Sequence, residues 1–145
     1  MSLDSSVPAR IASGELPMPP IGKLLGFRMV QVKLDSCTME MDAGPQFANP
    51  MGTLHGGILC DLADAAMGMA LASGLAEGET FTTLELKINF LKPVWTSRLT
   101  ATGIVVKRGK TVSMGECDVT DGEKSLVARA TCTMMTLRGE KAKGR

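Results

Sequence analysis

The sequence predicts an α+β domain, with one antiparallel sheet carrying a single long helix on its face. Three observations predict it. Residues 55–73 hold one continuous helix-compatible run. The segment T82-T83-L84-E85-L86-K87-I88-N89-F90 alternates with the two-residue period of a half-buried strand. The element order reads short helix, two strands, long helix, four strands.

Taken in order, residues 1–20 mix Ser, Gly and Pro and are expected to form a loose arm. A short helix over 21–25 is closed by Gly26. Residues 27–32 and 37–41 read as strands, with Asp35-Ser36 as their turn. A Pro/Gly-rich loop spans 44–52. The long helix starts near His55 to Gly57 and is expected to stop at Gly74. Ile58, Leu62, Ala65, Ala66, Met69 and Ser73 repeat at helical spacing and read as its buried face. Cys60, Asp64, Met67 and Leu71 fall together on the other side. A helix this apolar all round is wrapped on all sides, so the sheet must curl around it. In the strand over 82–90 the even positions carry the apolar face, and Pro93 ends it. Strands over 98–107 and 111–120 meet through Arg108-Gly109-Lys110. Residues 124–137 form the last strand after the Asp121-Gly122 turn. The domain is thus 21–137, and 138–145 a basic frayed tail.

The chain has 145 residues, enough for one domain with a normal core. A net charge of +1 supplies no field for nucleic acid, so no nucleic-acid partner is expected. No apolar run has signal-peptide or membrane-spanning length, which predicts a cytoplasmic protein without a membrane partner. The four cysteines form no C-x-x-C pair and there is one histidine, so no metal is expected. The cysteines read as small core residues.

Chemistry concentrates around the start of the long helix. Asp64 sits among Cys60, Met67 and Leu71. An unpaired buried carboxylate costs several kcal/mol, so Asp64 needs donors, a cleft or a raised pKa. A cleft carboxylate suits a nucleophile or general base; a helix aspartate satisfied by backbone or water is the alternative. Asp61, one turn earlier, reads as structural or partly exposed. His55-Gly56-Gly57 presents free N–H groups at a helix start, either as an oxyanion hole or as a plain cap. Asn49 and Gln46 read as polar groups for a water or carbonyl, or as turn residues. Lys107, Arg108 and Lys110 read as a phosphate clamp or as a solvated turn. Trp95 is assigned nothing.

N49-P50-M51-G52-T53-L54-H55-G56-G57, followed by L62-A63-D64, resembles the hotdog-fold thioesterases of the phenylacetic-acid-pathway type, which include the thioesterase superfamily member 2 proteins. L24-L25-G26-F27, residues 84–93 and V105-V106-K107-R108-G109-K110-T111 extend the resemblance over roughly 20–137. It implies a curled sheet around a central helix and hydrolysis of acyl- or aryl-coenzyme A thioesters. It also implies a homodimer with sites at the interface, paired further into a homotetramer. Asp64 matches the catalytic carboxylate, Gly56 the amide that polarises the carbonyl, and Gly57 its neighbour. His55 matches a loop-orienting partner, and Asn49 a group positioning water or carbonyl. Thr83 falls where relatives carry a hydroxyl near the water, donated across the dimer. Lys107, Arg108 and Lys110 would meet coenzyme A phosphates. No cofactor is implied, coenzyme A being part of the substrate. Gly68 departs from relatives that place a hydroxyl one turn after the aspartate. The competing readings are a non-catalytic acyl-CoA binding protein and, with only one histidine, a less supported hydratase.

Overall fold

Local chemistry sets the element boundaries. The computed structural model describes residues 2–144; Met1 and Arg145, the outermost residues of the expected arm and tail, lie outside the described residues. Ser6 caps helix α1 (Val7–Ala12) by accepting from the Ala9 N–H, and Pro8 begins it. Helix α2 (Pro20–Leu25) ends at Gly26, whose φ of 73° closes it in the left-handed region. Strands β1 (Arg28–Lys33) and β2 (Ser36–Ala43) follow, turned by Asp35 at φ 61°. Helix α3 (Gly56–Ala72) ends at Ser73, whose hydroxyl donates to Ala70 O and accepts from the Asp35 N–H. Strands β3 (Thr80–Phe90), β4 (Ser97–Lys107), β5 (Val112–Thr120) and β6 (Leu126–Leu137) complete the sheet, and a 3-10 turn over Gly139–Ala142 follows.

All strand pairs are antiparallel, and the six-stranded sheet runs β1-β2-β4-β5-β6-β3. The sheet curls far enough that Met29 of one edge strand and Phe81 of the other line the same cleft over α3. Helix and sheet approach closely at Gly103 of β4. A Cβ there would lie 2.5 Å from the Ala66 carbonyl carbon, backbone against backbone. Met39, Met41, Met67, Met134, Leu62 and Leu99 are among the largest fully buried side chains of the core. Cys37, Cys117 and Cys132 are buried free thiols. Burial pushes the first two up to about 12 and the third to about 11, which makes them inert core residues. Among the described residues no helix is long and apolar enough to cross a membrane.

Three expectations need correction. The arm is not loose throughout: α1 packs on β1 and α3, with Pro8 buried. The face of α3 against the sheet is centred on Leu62, Ala63, Ala66 and Ala70, together with Met67 and Leu71. Ile58, Ala65 and Met69 lie only half-buried beside Asp61. A helix apolar on every side offers its period no contrast from which to choose a face. Finally, the alternation in β3 breaks at Leu84. Thr83 pairs with Met134 and Glu85 with the adjacent Thr133, so Leu84 is a bulged residue, 53% exposed.

Candidate active site

That bulge positions the first half of the site. Before it, Phe81 and Thr83 point at α3; after it, Leu86 and Ile88 pack on the core. The Thr83 hydroxyl donates to Asp64 Oδ1 at 2.9 Å within one chain, where the resemblance implied donation across a dimer. Asp64 is half-buried and lines a cleft of about 250 Å³ with Asp61, Ala65, Gly68, Met69 and Phe81. Asp61, more exposed, has its carboxyl held above the ordinary range by burial first and by the Asp64 charge second. Gly68 carries no side chain because Phe81 occupies its place: a Cβ would lie 2.8 Å from the ring Cζ.

The second half lies at the helix start. His55 caps α3, its Nδ1 accepting from the Gly57 N–H at 2.9 Å. The Gly56 N–H precedes the first intrahelical bonds, and among the described residues nothing accepts from it. Gly56 lines a separate cleft of about 420 Å³ with Asn49, Thr53, Phe90 and Lys92. The Asn49 side chain organises its loop: Oδ1 accepts from the Met51 and Thr53 N–H groups, and Nδ2 donates to Thr53 Oγ1. One Nδ2 hydrogen remains for a ligand. Gln46 is exposed and lines neither cleft.

The two halves do not meet within one chain. Asp64 follows Gly56 by eight residues in an unbroken helix, about 12 Å along its axis. The positive hairpin sits at the far end of α3 and is itself divided. The Arg108 guanidinium pairs with Asp35, and its Nη2 donates to Leu71 O at 2.9 Å, placing a cation on the helix C-terminus. Lys107 and Lys110 are exposed, with no ion pair among the described residues.

The family model described as thioesterase superfamily matches residues 51–128, which include Gly56, Asp64, Thr83 and the hairpin. The chain belongs to the thioesterase superfamily. The solved structure of a thioesterase family protein from Silicibacter pomeroyi superposes with a TM-score of 0.83 at 28% identity, covering 91% of this chain and 99% of that one. A phenylacetic acid degradation-related protein from Ralstonia eutropha JMP134 gives 0.82 at 29%, covering 88% and 98%. A medium/long-chain acyl-CoA thioesterase of Escherichia coli K12 is 24% identical over 80% of this chain and 84% of its own. The hotdog fold of this thioesterase, a curled six-stranded sheet around α3, is therefore the family fold. Sequence reasoning singled out Asp64 and Gly56, which the structure places in two separate clefts; it named Met69 only as a buried-face residue and gave Phe81 no role.

Proposed function

We propose that this thioesterase hydrolyses an acyl-coenzyme A thioester at a site composed from two subunits. The observation that carries the reading is the separation of the half-sites. The free Gly56 amide and the Thr83-held Asp64 carboxylate are chemically complementary, yet about 12 Å of helix lies between them in one chain. A homodimer that sets the Asn49–Gly56 cleft of one subunit against the Asp64 cleft of the other brings them to one carbonyl.

At such a site the thioester carbonyl points at the Gly56 N–H, where the helix start stabilises the developing oxyanion. His55 holds the turn by engaging Gly57, and Asn49 offers its remaining amide hydrogen to carbonyl or water. Asp64, oriented by Thr83, either removes a proton from water as water attacks, or attacks the carbonyl itself to form a mixed anhydride that a water then hydrolyses to free acid and carboxylate. The C–S bond breaks and coenzyme A leaves as thiolate, taking up a proton. Lys107 and Lys110 meet its phosphates, while Arg108 fixes the hairpin to α3 rather than serving as a ligand. The exposed apolar patch of Ile104, Val106, Val112 and Met114 gives the dimer a second surface for pairing into a homotetramer.

The test is release of free thiol from a panel of acyl- and aryl-coenzyme A thioesters. Wild type is expected to turn over repeatedly, and Asp64→Asn to lose most turnover while keeping its oligomeric state. Binding without thiol release would make the chain an acyl-CoA binding protein instead. Under single turnover in ¹⁸O-water, label found in Asp64 identifies carboxylate attack followed by hydrolysis of the mixed anhydride at the Asp64 carbonyl, whereas direct water attack labels only the product acid.

A further inference from the structure

We propose that Met69 and Phe81 form a wall that limits the acyl group of the substrate to medium length. The inference rests on the hydrolase reading for the chemistry, but on the clefts alone for the wall.

The Asp64 cleft is polar only at Asp61 and Asp64. Its apolar lining includes Met18, Met29, Met39 and Phe27, with Met69 and Phe81. Thioether side chains on several walls make a pliable apolar surface suited to a flexible alkyl chain. The cleft volume of about 250 Å³ lies below the range of roughly 300–1,000 Å³ usual for ligand pockets.

Beyond it lies a larger groove of about 620 Å³ between the N-terminal segment and the end of α3, lined by Val7, Arg10, Ala72 and Leu75 among others. Met69 and Phe81 are the two residues common to both linings. They therefore stand between a small cleft that contains the carboxylate and a large groove that does not. The Phe81 ring is set down on α3 at Gly68, one turn past Asp64, where no side chain can displace it. An acyl chain running from a carbonyl at Asp64 along α3 meets this ring and the Met69 side chain next to it. Removing either joins the two spaces and admits a longer chain.

The experiment compares octanoyl- and palmitoyl-coenzyme A as substrates. It also measures binding of S-octyl- and S-hexadecyl-coenzyme A, thioethers with no carbonyl to hydrolyse, by calorimetry. Wild type is expected to favour the eight-carbon ligand at least tenfold in both assays. Met69→Ala is expected to shift the ratio toward sixteen carbons by tenfold or more, a change of the size that pocket methylenes produce. Phe81→Leu is expected to shift it in the same direction and serves if Met69→Ala does not fold. Equal handling of both lengths by wild type, or ratios unchanged within twofold in the folded variants, overturns the wall. Thioether binding that follows the pattern without turnover of any thioester preserves the wall and removes the hydrolase reading.

Discussion

A single hydroxyl distinguishes Asp64 from an ordinary helix aspartate. Thr83 donates to one carboxylate oxygen at 2.9 Å and so fixes the direction of the other. Thr83→Val keeps the shape and deletes the donor, and kcat/KM is expected to fall about tenfold, the weight of one hydrogen bond to a charged group. Thr83→Ser is expected to stay within about twofold, and equal rates for both variants would leave the hydroxyl without a role. Asp61 supplies a second test, with its sign fixed by linkage. Its folded pKa is raised, by burial and then by Asp64, so the folded state holds the proton more tightly than the unfolded chain. The resulting cost to stability is absent below the ordinary carboxyl range and grows as pH rises from that range through the raised value. Asp61→Asn is therefore expected to raise Tm at pH 7 and to leave it unchanged at pH 3; an equal gain at both would show that charge is not the cause. Asp64 and Gly56 were legible in the sequence because a carboxylate in an apolar helix and glycines at a helix start each demand an explanation. The partner of Asp64 in the same chain was not, because the alternation around Thr83 assigns it the outer face.

Elements carry the constraint that single residues do not show. The long helix lies on β4 at Gly103, where a methyl group would meet the backbone of Ala66 and Met67 at 2.5–2.6 Å. Neither backbone can rotate away as a side chain does, so Gly103→Ala must separate helix from sheet. Overpacking of this kind costs about 1–3 kcal/mol, and the rigid contact points to the upper end. A urea melt is expected to show a lower midpoint at unchanged slope; an unchanged midpoint would mean that the helix can shift freely on β4. The strands were legible because alternation, Pro93 and the Asp121-Gly122 turn mark them directly. The bulge at Leu84 was not: an unbroken reading of 82–90 sends Thr83 outward, and only the pairing with Met134 and Thr133 reveals the change of face. The same insertion that hid Thr83 from the pattern aims it at Asp64. The docked face of α3 was hidden for a different reason, since every side of that helix is apolar and only the curled sheet decides which part stays open.

At the scale of the whole molecule, one subunit contains every group the proposed reaction needs but does not assemble them. Helix α3 is continuous from Gly56 to Ala72, so no hinge exists to fold its start back onto Asp64. In the proposed site a partner subunit provides one half, and a two-fold dimer builds two such sites. This arrangement makes a prediction that a site within one chain does not. Asp64→Asn removes one half of the machinery. Gly56→Val removes the other by crowding the Phe90 ring, which already lies 2.8 Å from where a Cβ would stand. Each homodimer is expected to be inactive. In a heterodimer of the two variants, one site inherits both defects and the other inherits neither, because intact Asp64 comes from one chain and intact Gly56 from the other. If the mixed chains exchange at random, half the dimers are heterodimers with one working site of two, so activity is expected to return to about a quarter of wild type. Unfolding and refolding the variants together, then measuring thiol release against separately refolded controls, reads that fraction directly. Sites contained within single chains would give no recovery at any mixing ratio, and the composite site would then have to be abandoned even if the protein still hydrolyses thioesters.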